Sequence, residues 1–395
     1  MNIRIEKYDN QGRGIGYYNG KIVFIPGAIV GEIVSFKIVQ EKEKYIIGSL
    51  ESVIKPSLVR IKEKCPFYDK CGGCSFLHLS LDEELRIKKQ IIIDLFNKEK
   101  IPVPEINVVN SDNIYNYRNK VTLKIKEGKF GYYDNASHNF VAINYCYLVK
   151  DSINKIIKSN NLFKVNDGEI VIRCNYNDEI IIKVTSNSNV KIDVSKLVLD
   201  NKIVGIIVND KVIYGDDNFI EKVHNYLFNV SINSFFQVNL NILEKISSIL
   251  NKYKFDTVVD LYCGVGVLGT FIRKNKLYGI EIVEDAIKNA KANAGLNKQY
   301  NNKYLAGDSS LIRKINSKVD GIILDPPRSG LNKETLKNIV RIKPNKIVYM
   351  SCNPITFIRD MKVLNELYVI KDFYLLNMFS RTSHFEVICY MEKSK

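Results

Sequence analysis

The last third of the chain alternates short apolar runs with stretches of helical character. The apolar runs cover residues 257–261, 277–280, 321–324 and 346–350. Such alternation predicts a parallel β-sheet that is covered by helices on both faces. In sheets of this kind, ligands bind beyond the carboxyl ends of the strands. The residues that follow each run are therefore the first candidates for a functional site.

The first two runs end in residues that are suited to binding a nucleotide. Residues 260–266, Asp-Leu-Tyr-Cys-Gly-Val-Gly, take the first strand into a tight glycine turn, where the backbone can approach a ligand closely. The second run is followed by Glu281, whose carboxylate can accept hydrogen bonds from ribose hydroxyls. Asp260 and Asp308 add two further acids at predicted strand ends. A nucleotide cofactor site is the functional interpretation, and a packing turn is the alternative.

A carboxylate and a thiol follow the next two runs. Asp325 begins an Asp-Pro-Pro-Arg sequence, in which the two prolines fix the backbone and present the acid. Cys352 lies in Ser-Cys-Asn-Pro, residues 351–354. Most cysteines are inert core residues, but these neighbours indicate a sharp exposed turn, where a partly solvated thiolate can form. We expect both groups at one edge of the sheet, where they could act together.

The first two thirds of the chain are dominated by predicted strands. Residues 3–59 form short alternating runs with glycine turns, which is typical of a small closed barrel. Residues 81–97 place apolar side chains at helical spacing behind an acidic first turn. From residue 119 to about 230 the pattern predicts a mostly antiparallel domain. We therefore expect three domains, 1–59, 60–230 and 231–395, and the helix 81–97 could pack on the last of them.

Composition indicates the kind of partner and the compartment. The net charge of +15, from 58 basic and 43 acidic side chains, favours a polyanionic partner such as RNA. Lysine-rich chains from AT-rich genomes also drift towards positive charge, so the charge alone does not decide. The opening segment lacks a signal-peptide core, and no run approaches the roughly 18 apolar residues of a membrane span. We expect a cytoplasmic monomer that does not act at a membrane.

Three of the eight cysteines are close together in the sequence. Cys65, Cys71 and Cys74 lie within ten residues, and Cys146 could supply a fourth thiolate. A long cytosolic chain keeps its thiols reduced, which leaves metal binding or catalysis as their informative roles. A ligand set made only of thiolates suits either zinc or an iron–sulfur cluster. The spacing by itself does not choose between them.

Five motifs taken together resemble the RNA uridine-5 methyltransferases, class I enzymes that depend on S-adenosylmethionine. They are Phe-Phe-Gln-Val-Asn at 235–239, the glycine turn at 260–264, Asp-Pro-Pro-Arg at 325–328, Ser-Cys-Asn-Pro at 351–354 and Thr-x-His-x-Glu at 382–386. The barrel resembles the TRAM domain of RNA-modifying enzymes, mainly through Gly-Lys-Ile-Val-Phe-Ile-Pro-Gly at 20–27. The resemblance implies an α/β fold: a Rossmann-like class I methyltransferase domain, an N-terminal OB-like β-barrel and a mostly antiparallel central domain.

The same resemblance implies roles for individual residues. Cys352 would be the nucleophile that adds to carbon 6 of a uracil, and Glu386 would be the base that removes the proton from carbon 5. Five residues would contact S-adenosylmethionine: Gln237, Tyr262, Glu281, Asp308 and Asp325. Within that set, Glu281 would hold the ribose and Asp308 the adenine end.

The resemblance also implies a cluster and a substrate. Ribosomal-RNA members of the family bind a [4Fe-4S] cluster through a four-cysteine pattern that matches Cys65, Cys71, Cys74 and Cys146. A barrel combined with a cluster resembles the enzymes of 23S ribosomal RNA, so 23S rRNA is the expected partner. Three alternatives stay open: a transfer-RNA uridine, an exocyclic-amine methyltransferase, which Asp-Pro-Pro also suits, and a non-catalytic RNA-binding protein.

Overall fold

The computed structural model describes residues 1–134, 139–315 and 317–394. Contacts group the chain into two compact units. The first contains Met1–Val103 and Phe379–Phe385, and the second contains Pro104–Met378 and Glu386–Lys395. The predicted domain boundaries at residues 59 and 230 stay predictions, since this grouping does not follow either of them.

The first unit begins with a six-stranded sheet in the order β1-β5-β6-β4-β3-β2. The strands are β1 Asn2–Arg4, β2 Lys7–Tyr8, β3 Gly14–Tyr18, β4 Lys21–Ile25, β5 Ile33–Glu41 and β6 Tyr45–Lys55. Apolar and polar side chains alternate along these strands, as expected where one face is buried. The buried set is Ile3, Ile5, Val23, Ile25, Ala28, Val34, Phe36 and Ile46. The predicted strand-rich N-terminal segment is thus present.

Two helices follow in the first unit: α1 Tyr68–Cys71 and α2 Leu81–Lys98. The side chain of Ser80 accepts a hydrogen bond from the backbone N–H of Glu83, which caps the start of α2. Three acidic residues in the first turn complement the helix dipole. The predicted helix at 81–97 is confirmed, and it is one residue longer.

The second unit contains a seven-stranded sheet in the order β10-β9-β8-β12-β13-β15-β16. The elements between residues 106 and 215 include this sheet and several strands outside it. They are β7 Ile106–Val109, β8 Lys120–Lys126, β9 Lys129–Tyr133, β10 Phe140–Ala142, α3 Asp151–Lys158, a 3₁₀ turn at Asn160–Leu162, β11 Phe163–Lys164, β12 Asp167–Cys174, β13 Ile180–Thr185, β14 Lys191–Ile192, α4 Val194–Asp200, β15 Ile203–Val208 and β16 Lys211–Gly215. Among the described strands of this sheet, only the β13–β15 pair is parallel. The predicted mostly antiparallel character is confirmed.

The second unit also contains an eight-stranded sheet in the order β21-β20-β19-β22-β23-β25-β24-β7. Its elements and the hairpin before it are β17 Asn218–Val223, β18 Tyr226–Ser231, α5 Leu240–Leu250, β19 Lys254–Leu261, α6 Val267–Phe271, β20 Arg273–Glu281, α7 Glu284–Leu296, β21 Asn302–Ala306, a 3₁₀ helix at Ser309–Lys314, β22 Gly321–Leu324, α8 Lys333–Ile342, β23 Lys346–Ser351, α9 Pro354–Leu364, β24 Tyr368–Leu376 and β25 Glu386–Lys393.

The order of this sheet places the predicted site residues at one edge. Strands β19 to β23 run parallel, and the chain leaves β19 towards β20 on one side and later returns to β22 on the other. Ligand sites form at the carboxyl ends beside such a switch in direction. The last two strands depart from the parallel pattern, because β25 runs antiparallel to both β23 and β24. Across the described residues, no helix is both long and apolar enough to cross a membrane.

Candidate active site

The first strand end carries a buried carboxyl group. Asp260 is 1% exposed, and its Oδ2 accepts a hydrogen bond from the backbone N–H of Gly269 at 3.1 Å. A Cβ at position 269 would lie 2.7 Å from that oxygen, so the close approach requires glycine. Oδ1 of Asp260 is buried without a hydrogen-bond partner in the described chain. Burial and the charge of Asp325 raise the pKa of Asp260 to about 8. An unsatisfied buried acceptor of this kind suits a cationic or N–H group of a ligand.

The glycine turn leaves space beside the next strand end. Gly264 has a φ of +52°, and no described atom lies within 4 Å of where its Cβ would be. Its N–H donates to Oε2 of Glu281 at 3.1 Å, and Oε1 of Glu281 accepts from the N–H of Val283 at 3.0 Å. The phenol of Tyr262 is 3.2 Å from the hydroxyl of Thr335. The loop and the acid are thus fixed beside an open volume, as the predicted ribose site requires.

Hydrogen bonds fix the backbone around Gln237, whereas its side-chain amide is available for a ligand. The side-chain amide of Asn119 donates to the carbonyl of Gln237 at 3.4 Å, and the N–H of Asn119 donates to the carbonyl of Val238 at 3.0 Å. Gln237 is 6% exposed. Its own amide makes no hydrogen bond with the described residues, so it can bind a ligand without losing an internal contact.

Asp308 has a local structural role that sequence analysis did not anticipate. It is exposed, and its Oδ1 caps the 3₁₀ helix by accepting from the N–H of Ser310 at 2.7 Å. These hydrogen bonds from Ser310 lower the pKa of Asp308. Its contact with the adenine end stays a prediction.

Cys352 and Glu386 lie opposite each other at the end of the β23–β25 ladder. The last pair in this antiparallel ladder is Ser351 with Val387. Cys352 follows the first of these residues and Glu386 precedes the second, so the two face each other where the strands part. Asp325 follows Leu324, whose partner on β23 is Tyr349. The structure therefore brings the three predicted groups to one edge of the sheet.

The electrostatics favour uncharged forms of these groups. Glu386 is 4% exposed, and burial together with Asp325 raises its pKa to about 8. Burial raises the pKa of Asp325 to about 7. Burial and the two carboxylates also raise the pKa of Cys352, and Arg328 opposes them. The expected partly solvated thiolate is therefore not what the structure favours at neutral pH: the turn is half-buried and lies beside two acids.

The Asp-Pro-Pro-Arg loop is held by helix α9. The side chain of Asn353 accepts from the N–H of Ile355 at 3.1 Å and donates to the carbonyl of Arg328 at 2.9 Å. Oδ2 of Asp360 accepts from the N–H of Leu331 at 2.8 Å and from the hydroxyl of Tyr349 at 2.8 Å. Asp360 could not be recognised from the sequence, because a single acid within an amphipathic helix gives no signal of a buried contact.

The segment Phe379–Phe385 belongs to the first unit and has its own buried anchor. The carboxylate of Glu84 accepts from the backbone N–H of Arg381 at 3.0 and 3.1 Å and from the ammonium of Lys88 at 2.8 Å. Arg381 has a φ of +67°, a strained conformation for a side chain of this size. His384 is exposed, whereas Glu386 is buried.

The cysteine motif shows no assembled metal site. Cys65, Cys71, Cys74 and Cys146 are all half-buried. Within residues 1–134, 139–315 and 317–394, no group of three or more His, Cys, Asp or Glu side chains is placed to hold a metal ion. The backbone N–H of Cys146 donates to the side chain of Asn154 at 2.8 Å. The [4Fe-4S] cluster expected at these four cysteines is therefore not supported by the described residues.

Comparison with protein families decides between the functional classes. A family model described as tRNA (uracil-5-)-methyltransferase matches residues 80–394, and a TRAM domain model matches residues 1–50. The chain belongs to the tRNA (uracil-5-)-methyltransferase family. The predicted enzyme class, an RNA (uracil-5-)-methyltransferase that uses S-adenosylmethionine, is confirmed at the level of the family, and so is the TRAM domain.

Two curated relatives and a solved structure match the chain along nearly its whole length. An RNA methyltransferase of Caldanaerobacter subterraneus subsp. tengcongensis is 32% identical, over 100% of this chain and 99% of its own. An RNA methyltransferase of Clostridium tetani is 33% identical, over 99% of this chain and 95% of its own. The structure of the Pyrococcus abyssi tRNA (uracil-54, C5)-methyltransferase in complex with S-adenosyl-L-homocysteine is 24% identical with a TM-score of 0.80, over 99% of this chain and 100% of that one. This likeness confirms the predicted fold class.

Proposed function

We propose that this methyltransferase adds a methyl group to carbon 5 of a uridine in 23S rRNA in the cytoplasm, with Cys352 as covalent catalyst and Glu386 as base. The observation that carries the proposal is the opposed placement of Cys352 and Glu386 where strands β23 and β25 part. A thiol beside a buried carboxyl group suits an addition that is followed by a proton removal. An amine-directed transferase would have no use for the thiol.

The reaction then needs two proton transfers at this edge of the sheet. The Cys352 thiol releases its proton to water, and Sγ bonds to carbon 6 of the uracil while the carbon 5–carbon 6 π electrons move to form an enolate. S-adenosylmethionine supplies the electrophilic methyl group. The Glu386 carboxylate takes the proton from carbon 5, the double bond reforms, and the Sγ–carbon 6 bond breaks to release Cys352. Burial of Glu386 strengthens it as a base, because its pKa is near 8.

The methyl donor would occupy the strand ends next to this pair. Asp260 offers the unsatisfied Oδ1, Glu281 lies beside the space at Gly264, and Gln237 presents an uncommitted amide. Tyr262, Asp308 and Asp325 complete the proposed set of contacts. Titration calorimetry with S-adenosylhomocysteine tests it: we expect Glu281→Ala to weaken binding by at least tenfold, since ribose loses a charged acceptor worth about 1.5–3 kcal/mol.

Substrate choice is tested by comparing two purified RNAs. The net charge of +15 and the TRAM domain support an RNA partner, whose target base must leave its stack to reach a thiol. The Pyrococcus abyssi enzyme acts on tRNA and shares the fold over its whole length, so the N-terminal barrel does not separate the two substrates. A tRNA uridine is therefore the second candidate. Transfer of a labelled methyl group only to 23S rRNA supports the proposal. Transfer only to tRNA overturns the proposed substrate.

A mechanism-based trap distinguishes the thiol mechanism from its rivals. RNA that contains 5-fluorouridine lacks the carbon 5 proton that Glu386 would remove, so the covalent adduct should accumulate. We expect a gel-stable complex between wild-type protein and this RNA in the presence of S-adenosylmethionine, and none with Cys352→Ala. An exocyclic-amine methyltransferase would methylate unmodified RNA without forming the complex. A non-catalytic RNA-binding protein would do neither.

The [4Fe-4S] cluster is a separate proposal, supported by the four-cysteine pattern and not by the geometry. Anaerobically purified protein should contain about four iron and four sulfide ions per chain. Cys74→Ser should lose them, whereas Cys174→Ala, at a buried cysteine outside the pattern, should keep them. Zinc, or no metal, in the anaerobic protein contradicts the proposal.

A further inference from the structure

The second unit contains a buried arginine with no carboxylate partner in contact. Arg173, on strand β12, is 1% exposed. Its guanidinium donates only to carbonyls: from Nη1 to Ser231 at 3.0 Å and to Ser234 at 2.7 Å, and from Nη2 to Phe236 at 3.4 Å. Among the described residues it makes no ion pair within 4 Å. Burying a guanidinium is costly unless its donors are satisfied, so these contacts hold the charge in place.

The three acceptors are Ser231, the last residue of β18, and Ser234 and Phe236 in the loop that follows it and leads to Gln237. This loop joins the end of β18 to α5, and the last acceptor, Phe236, directly precedes Gln237. The guanidinium carbon also lies 5.9 Å from the centre of the Phe236 ring. Desolvation lowers the pKa of Arg173 to about 10, which leaves it charged at neutral pH. One fixed cation thus orients three carbonyl groups of the loop.

A second contact, from Asn119 directly before β8, fixes the other side of Gln237. Asn119 bonds to the carbonyls of Gln237 and Val238, as described above. The carbonyl of Asn119 in turn accepts from the N–H of Cys174, the residue after Arg173, at 2.8 Å. The backbone is therefore held both before and after Gln237, while the amide of Gln237 is uncommitted. A binding group that is ordered in advance loses less conformational entropy when its ligand binds.

We propose that Arg173 is a positioning residue, which orders the Ser231–Phe236 loop and so sets the affinity of Gln237 for the methyl donor. This inference rests on the proposed cofactor role of Gln237. The planar fork of arginine can reach all three carbonyls at once. A lysine keeps the charge but offers one compact ammonium, which cannot span them. Arg173→Lys should therefore loosen the loop without removing the charge.

The first test measures S-adenosylhomocysteine binding and methyl transfer by Arg173→Lys. We expect the Kd and the KM for S-adenosylmethionine to rise about fivefold, the cost of roughly 1 kcal/mol of ordering. The kcat at saturating methyl donor should stay within twofold. Arg341→Lys, at an exposed position on α8, is the matched control and should bind as wild type does. Unchanged binding by Arg173→Lys overturns the proposal.

A double-mutant cycle shows whether Arg173 acts through Gln237. Gln237→Ala should weaken binding about tenfold, and adding Arg173→Lys to it should weaken binding by less than a further twofold. Additive effects would overturn the positioning role. If Gln237→Ala binds as wild type does, the proposed cofactor role of Gln237 is what fails, and the two failures are thereby distinguished.

Hydrogen exchange supplies a readout that does not depend on the cofactor. In Arg173→Lys, amides 231–238 should exchange at least tenfold faster, while those of strand β19 stay unchanged. If the lysine variant does not fold, Arg173→Gln, which retains a donor without the charge, is measured in the same way with the same expectation. Equal protection of residues 231–238 in wild type and in the folded variant overturns the proposal.

Discussion

Cys352 and Glu386 face each other one residue beyond the Ser351–Val387 pair, across two antiparallel strands of an otherwise mostly parallel sheet. Glu386 contributes to the raised pKa of Cys352, and Asp325 contributes to the raised pKa of both groups. In the ligand-free protein, a thiol and a carboxylic acid are therefore favoured over two anions. Catalysis has to begin by removing a proton from this pair.

Methyl transfer should speed up as the pH rises. Glu386 acts as a base only when ionised, and its pKa is about 8. The pKa of Cys352 is also raised, so both groups are mostly protonated at pH 6.5. The single-turnover rate with saturating RNA and methyl donor should rise severalfold per pH unit from about 6.5 to 8. A rate that is level over this range, with binding shown to be unchanged, contradicts the assignment of Glu386.

Glu386→Gln should stabilise the fold at high pH while abolishing turnover. The folded pKa is raised above the ordinary 4.5, so between that value and about 8 the folded protein holds a proton that the unfolded chain has lost. The free energy of unfolding contributed by Glu386 therefore falls as the pH rises. The melting temperature of Glu386→Gln should exceed that of wild type at pH 8 and match it at pH 4. Exposed Glu366→Gln is the control.

Gly269→Ala should destabilise the cofactor turn. The added Cβ would lie 2.6 Å from Leu277 and 2.7 Å from Oδ2 of Asp260, neither of which can move freely in the buried sheet. Overpacking of this kind costs about 1–3 kcal/mol, measured by urea denaturation. Gly295→Ala is the matched control: it lies in α7 with open space around it, and it should stabilise by about 0.5–1 kcal/mol. Equal stability of the two variants would contradict this close packing around Gly269.

Removing the charge of Glu84 should be far more harmful than breaking a surface ion pair. Glu84 and Lys88 are both fully buried, and Glu84 also accepts from the strained Arg381 backbone. Glu84→Gln leaves the Lys88 charge buried without its counterion, which costs about 3–5 kcal/mol in urea denaturation. Glu41→Gln, which removes the exposed pair with Lys21 in the same unit, should have no measurable effect. A small effect of Glu84→Gln would show that the cluster does not stabilise the fold.

Much of this site could be predicted because it depends on local sequence. Apolar runs that end in Asp325 and Cys352 predict strand ends, and parallel strands bring such ends to one edge. The glycines at 264, 266 and 269 also have the Gly-x-Gly-x-x-Gly spacing of dinucleotide folds, so the glycines alone do not identify the cofactor. The family match supplies that distinction.

Other features could not be predicted because they depend on tertiary contacts. The register of the β23–β25 ladder opposes Glu386 to Cys352, two residues 34 positions apart in the sequence. The raised pKa of Cys352 depends on the burial of its side chain and on two acids that are distant in the sequence, Glu386 and Asp325. Arg173 looks like a polar residue in a strand, and only the folded loop shows what it binds.

The most direct test is the single-turnover rate of methyl transfer by Cys352→Ala, with the variant shown to be folded and saturated with S-adenosylmethionine and RNA. The account predicts a loss of at least about 10³-fold, since removing a covalent nucleophile eliminates the path that activates carbon 5. Transfer at the wild-type rate would contradict it.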